Sequence, residues 1–254
     1  VYKRQEYAEI NSGADQTQAL ASGDVQILYA VGATSVILSA ANGADIKVLN
    51  MYSRSPKAFC MYSKDESLTS PESLRGKTIA GPAGTNLHEL LAAYLAKGGM
   101  TIDDVNYVNM GIAEAKAALD GGSTDVALIA GATAYQAKQQ GYHLVADGEG
   151  LIKAIIAVAV RQDFYDANKD VIERVMKAQE EIASFMQENQ EETLNIVAQE
   201  LDLDEEAVKE MYGYYDFSMD ISDEDRDGFQ KTADFMLESG MIDHALDVNT
   251  LFIQ

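Results

Sequence analysis

One local pattern constrains this chain more than any other feature: a short apolar run, a glycine or small-residue turn, then a run with helical spacing. The turns fall at Gly13, Gly32, Gly84, Gly111 and Gly131. Segments 7–10, 25–31, 46–52, 59–63, 78–80, 105–110, 126–130 and 143–146 read as strands. Segments 14–22, 34–41, 87–97, 113–119 and 132–140 read as helices between them. Strands alternating with short helices require crossover connections, so the pattern predicts an α/β fold with mainly parallel sheets. Several strand segments are apolar on both sides, as strands covered on both faces must be.

From about residue 166 the pattern changes. Segments 169–187, 191–200, 205–212 and 223–239 predict successive helices with apolar stripes, and Asp204 is placed to cap the third. The closing 242–251 reads as a short helix and an edge strand. A chain of 254 residues can bury one large core or divide into two lobes.

Charge excludes one function class. The 41 acidic and 19 basic residues give −22, divided as −4 over residues 1–127 and −18 over residues 128–254. Nucleic-acid binding needs clustered Lys and Arg, so no nucleic-acid partner is expected. The acidic half reads as a solvated helical surface. No apolar run reaches the roughly 18 residues of a membrane span. Cys60 is the single cysteine and reads as a buried small hydrophobe, while His88, His143 and His244 share no metal-type spacing.

No catalytic constellation emerges: there is no nucleophile elbow, Walker loop or zinc-protease helix. The stretch from Gly81 to Thr85 lacks the lysine of a phosphate-binding loop. What remains is the strand–turn–helix unit itself. In open parallel sheets, ligands sit beyond the carboxyl ends of strands, where helix N-termini offer unpaired N–H groups. Each terminus contributes about 0.3–1 kcal/mol toward an anion, against about 8 kcal/mol for micromolar binding. Charge-assisted hydrogen bonds and enclosure must supply the rest. Arg54 is the obvious cation, and the sequence leaves open whether it touches solute or makes an ion pair between lobes.

The order Asn11-Ser12-Gly13-Ala14, Gln18-Ala19-Leu20-Ala21-Ser22-Gly23-Asp24-Val25, Ser70-Pro71-Glu72-Ser73-Leu74-Arg75-Gly76-Lys77 and Gly84-Thr85-Asn86-Leu87 resembles solute-binding proteins of nitrate, taurine and aliphatic sulfonate ABC transporters. The segments Asp120-Gly121-Gly122-Ser123-Thr124-Asp125-Val126-Ala127 and Tyr215-Asp216-Phe217 extend the likeness along nearly the whole chain. The resemblance implies a type-II periplasmic binding fold: one lobe from residues 1–57 plus 166–254, the other from 58–165, with crossings near 57–59 and 162–166. It implies cleft loops at Ser12, Gly13, Ala33, Thr34, Arg54, Ser55, Gly84, Thr85, Gly111, Ile112, Gly131 and Ala132, with Tyr215 approaching from the late segment.

The function so implied is extracytoplasmic capture of a small, anionic solute by hinge closure. The partner is an ABC permease; no cofactor, metal or catalysis is expected, and the protein acts as a single copy. An effector-sensing domain of a regulator and a thiamine-pathway pyrimidine synthase are the alternatives that share the fold. Residues 1–5 are set aside as outside the fold. A strand and helix that the family places ahead of residues 7–10 are expected to be missing, leaving the first lobe and its ligand site incomplete.

Overall fold

The computed structural model describes residues 6–10 and 12–253. Residues 1–5, set aside above, and Asn11 of the first turn lie outside the described residues.

The chain runs α1 (Gly13–Ser22), β1 (Ile27–Gly32), α2 (Ala33–Ala41), β2 (Ile46–Arg54), β3 (Phe59–Ser63), β4 (Thr78–Gly81), α3 (Asn86–Lys97), β5 (Asn106–Asn109), α4 (Ile112–Gly121), β6 (Val126–Ala130), α5 (Gly131–Gln139), β7 (His143–Asp147) and β8 (Ile155–Arg161). It closes with α6 (Gln162–Ala167), α7 (Lys169–Glu188), α8 (Gln190–Leu201), α9 (Glu205–Tyr212) and α10 (Asp223–Glu238). Residues 6–10 form no strand, because no neighbouring strand pairs with them among the described residues. An extended segment without a ladder partner leaves its backbone groups to water or to loops.

Two sheets result. One has the order β1-β8-β2 and the other β5-β4-β6-β3-β7. The pairing is mixed rather than mainly parallel. β4 runs parallel to β5 and β6, whereas β8 is antiparallel to both its neighbours and β3 to both of its own. The antiparallel strands are those that carry the chain between sheets, so each enters its sheet against the direction of the local crossover units. β8 lies in the smaller sheet, and the chain therefore returns there at Ile155, ahead of the 162–166 expected from sequence. Residue alternation could not reveal this, since β8 is buried on both faces and reads like any central strand.

Each sheet has its own core. Leu20, Val36, Ile37, Val48, Ala157 and Phe229 pack around the small sheet. In the larger sheet, alternate residues of β3 and β6 point to opposite faces. Met61 and Leu128 meet α3, and Cys60, Tyr62 and Ile129 meet α4 and α5. Burial raises the Cys60 thiol to about 12, in keeping with a small core residue. β1 carries a bulge at Ala30, a non-glycine residue with φ of 71°, which re-aims the strand just before its carboxyl end.

Candidate functional site

The carboxyl ends of β1, β4 and β5 each lead into a helix, and a cavity of about 170 Å³ lies among the helix starts. Ser12 and Gly13 of α1, Gly32 ahead of α2, Thr85 and Asn86 of α3 and Ile112 of α4 line it. The bulged Ala30, Phe59 at the start of β3 and Ile156 near the start of β8 complete the walls. Four helix N-termini thus converge from both sheets, and among the described residues no charged side chain lines the cavity. Such an arrangement favours a negative group through partial charges on unpaired N–H groups.

The polar side chains around this cavity differ in one respect. Ser12 Oγ donates to Asp15 Oδ2 at 2.7 Å, Gln16 Nε2 to the Ile10 carbonyl at 3.2 Å, Ser35 Oγ to the Gly84 carbonyl at 2.9 Å and Thr85 Oγ1 to the Pro82 carbonyl at 2.8 Å. Each has an acceptor within the protein. Asn86 is only 3% exposed, and its Nδ2 has no hydrogen-bond partner among the described residues. A buried amide donor left unpaired costs about 1–3 kcal/mol. It is the kind of group a solute acceptor would satisfy.

Behind Asn86 lies a polar cluster that joins the two sheets. Thr34 on α2, fully buried, has its Oγ1 2.7 Å from Asn86 Oδ1 and 2.5 Å from Glu89 Oε2. Thr232 on α10 donates to Glu89 Oε1 at 3.1 Å. Burial raises the pKa of the Glu89 carboxyl, and the two threonine hydrogen bonds only partly oppose this. The packing here is close. A Cβ on Gly32 would lie 2.9 Å from Asn86 Oδ1, and one on Gly84 would lie 2.6 Å from Leu38 Cδ2. Gly84 also has φ of 68°, a conformation that glycine adopts without steric cost. Its N–H donates to His88 Nδ1 at 3.2 Å, and burial lowers the His88 pKa, so the ring is the neutral acceptor this turn needs.

The remaining predicted residues separate. Ala33 is buried in the first turn of α2, and Gly111 caps α4 beside Ile112. Arg54 faces neither cavity. Its Nε donates to Asp225 Oδ1 at 2.7 Å and its Nη2 to Asp225 Oδ2 at 2.5 Å, while further N–H groups reach the carbonyls of Ser218 and Asp220. Burial pushes the Asp225 carboxyl up, but the hydrogen bonds from Arg54 and Ser222 outweigh it and hold it below the usual carboxylate range. Ser55 is fully buried, and its N–H donates to the Ala154 carbonyl at 3.3 Å. Arg54 is held in an ion pair, but its partner Asp225 belongs to the same expected lobe, so the pair is within a lobe and not between the two.

Gly131 and Tyr215 line a second, larger bay of about 410 Å³, whose lining does not include Ala132. Its walls are β3, α5, β7 and the segment after α9, with Tyr62, Tyr135 and Tyr214 prominent. Both lysines of the lining are paired, Lys57 with Glu149 at 3.2 Å and Lys138 with Glu210, while the Asp147 carboxylate accepts the Glu149 N–H at 2.8 Å. Sequence reading therefore grouped residues that the fold assigns to two places. Gly32 and Asn86 were legible only as strand–turn–helix positions, while Gln16, Phe59 and Ile156 as cavity-lining residues, and Glu89 and Thr232 behind them, were missed. One signal was available, a carboxylate at Glu89 among Leu87, Leu90 and Leu91, on the face of α3 that should be apolar.

Comparison with known proteins gives a consistent picture. A protein of Brucella abortus (strain 2308), provisionally described as a binding protein, is 25% identical over 209 residues, which cover 76% of this chain and 60% of that protein. The taurine-binding periplasmic protein of Escherichia coli (strain K12) is 28% identical over 177 residues, covering 68% and 54% of the two chains. This chain thus spans little more than half the length of these relatives. Among solved structures, the alkanesulfonate-binding protein SsuA from Xanthomonas axonopodis pv. citri, bound to MOPS, superposes with a TM-score of 0.88. The superposition covers 97% of this chain and 86% of that one at 22% identity, so the two share the periplasmic-binding-protein fold. The model of the NMT1/THI5-like family matches residues 6–193, about three-quarters of the sequence, and the chain belongs to that family.

Proposed function

We propose that this chain is the solute-binding component of an ABC importer and that it holds a small anion, of the sulfonate class, in the cavity between the two sheets. The observation that carries the reading is the unpaired Nδ2 of buried Asn86, set where four helix N-termini converge. Names of the relatives, taurine-binding and alkanesulfonate-binding, point to the same ligand class. A charge-assisted hydrogen bond from Asn86 would contribute about 1.5–3 kcal/mol. The helix termini would add about 0.3–1 kcal/mol each. Enclosure between the lobes would supply the remainder of a micromolar affinity, about 8 kcal/mol in total.

In this reading one lobe is built on the small sheet with α10 and the other on the five-stranded sheet. The chain crosses between them after Arg54 and again before Ile155. Closure of the lobes presents the protein to a membrane permease outside the cytoplasm. The protein acts as a single copy and leaves its solute chemically unchanged.

A panel of taurine, ethanesulfonate, sulfate and nitrate, followed by calorimetry and thermal unfolding, tests this. One anion should bind with a stoichiometry near one and raise the melting temperature, because a ligand of the native state stabilises it. Mass spectrometry should recover the ligand intact. A panel that leaves the melting temperature unmoved would overturn the reading, and a product of altered mass would favour an enzyme instead.

A further inference from the structure

The cluster behind the cavity contains a contradiction in hydrogen-bond roles. The Thr34 hydroxyl has one proton, yet its oxygen lies within hydrogen-bond distance of two acceptor atoms, Asn86 Oδ1 and Glu89 Oε2. With Thr232 donating to Glu89 Oε1 and the carboxyl proton, when present, on Oε2, two arrangements satisfy both contacts. With Glu89 protonated, its carboxyl donates to Thr34, Thr34 donates to Asn86 Oδ1, and the Asn86 N–H₂ is left for the cavity. With Glu89 ionised, Thr34 must donate to the carboxylate. The Asn86 amide then turns over so that its N–H₂ donates to Thr34, and its carbonyl oxygen is left for the cavity. Thr232 donates to the other carboxyl oxygen of Glu89 in both. The structure has the first arrangement, with Oδ1 on Thr34 and Nδ2 unpartnered.

We propose that Glu89, although remote from the solute, sets the polarity of the binding cavity through Thr34 and Asn86: a donor for anions when protonated, an acceptor that repels them when ionised. The proposal rests on the anion-binding reading above and adds a proton to it. Anion binding selects the protonated carboxyl, so each anion bound while Glu89 is otherwise ionised takes up one proton from solvent. Burial, which disfavours the charged carboxylate, moves this equilibrium toward neutral pH.

Among the described residues no other titratable group is found acting on Glu89. α2 contains no charged residue. On α3, His88 is stacked on the Tyr107 ring at 4.9 Å and holds the Gly84 turn. α10 meets Glu89 through Thr232, with Lys231 and Asp234 exposed on its outer side and Asp225 neutralised by Arg54.

The ligand-free protein provides the test. Side-chain amide resonances of Asn86, followed by NMR from about pH 4 to about pH 9, should shift along the titration of the Glu89 carboxyl carbon. The shift should vanish in Glu89→Gln and in Thr34→Val. An Asn86 signal that stays in place across this range in the unmodified protein overturns the proposal, whatever any ligand does. In a second arm, the affinity for ethanesulfonate should weaken by up to about tenfold per pH unit above the carboxyl's titration, and Glu89→Gln should remove that slope. Binding of unchanged affinity across the range overturns the inference while leaving the proposed function intact. Failure of ethanesulfonate to bind at any pH counts against the function for this ligand, and the amide signal still decides the relay.

Discussion

The two cavities of this protein differ in size and, more instructively, in what their polar groups lack. The bay lined by Tyr62, Gly131 and Tyr215 is the larger, and it brings lysines and carboxylates together. Its lysines are already paired, Lys57 with Glu149 and Lys138 with Glu210, and Tyr214 also donates to Glu210. The cavity among the helix starts has less than half the volume and, among the described residues, no charged lining, but it holds a buried amide donor with no partner among them. An unsatisfied buried donor has more to gain from a ligand than a charge that is already neutralised. Volume alone selects the bay, whereas the unpaired donor selects the smaller cavity.

Four substitutions or conditions would break or sharpen this contrast. Arg54 is assigned to neither cavity, and its partner Asp225 is 5% exposed. Arg54→Met should therefore cost about 3 kcal/mol of unfolding free energy by leaving a buried carboxylate unpaired. Denaturant melts would measure this, and the affinity of the folded fraction for solute should be unchanged. A large loss of affinity with little loss of stability would move Arg54 into the site.

Asn86→Ala should weaken anion binding by about 2 kcal/mol, roughly 30-fold, in calorimetric titrations. Tyr62→Phe in the bay should leave the same titration unaltered. If the two results are exchanged, the bay is the solute site and the contrast drawn here is reversed.

Gly84→Ala should destabilise the protein by about 1 kcal/mol, since alanine must adopt a left-handed backbone and Leu38 must yield to its Cβ. Chemical denaturation with an unchanged midpoint would show that this turn relaxes freely.

The smallest expected effect is on pH dependence. His88 has a lowered pKa in the folded protein, whereas the unfolded chain takes up its proton near the ordinary value of about 6.5. The unfolded state then binds more protons below that pH, so stability should fall as acidification passes about 6.5. Replacing His88 with Asn should flatten that part of the profile. Glu89 acts in the opposite sense: its raised pKa favours the folded state at low pH, and that contribution is lost as pH rises through the folded-state value.

Much of the architecture was legible in the sequence because it is local. The capping aspartate of α9 and the glycine turns each follow from neighbours within a few residues, and the helices expected at 169–187, 191–200, 205–212 and 223–239 all form. The order of the family-like segments carried the fold. The sequence by itself also determined where helix N-termini fall, since a glycine or small residue ends the strand before each. Tertiary structure decided the rest. Only the sheets place β8 between β1 and β2, and only the tertiary placing of α10's first turn beside the end of β2 brings Asp225 to Arg54 and makes the obvious cation an internal strut. Likewise Thr34, Asn86, Glu89 and Thr232 come from three helices far apart in the chain. Whether a donor such as Asn86 is satisfied or left over depends on contacts between residues far apart in the chain, which local propensity does not encode.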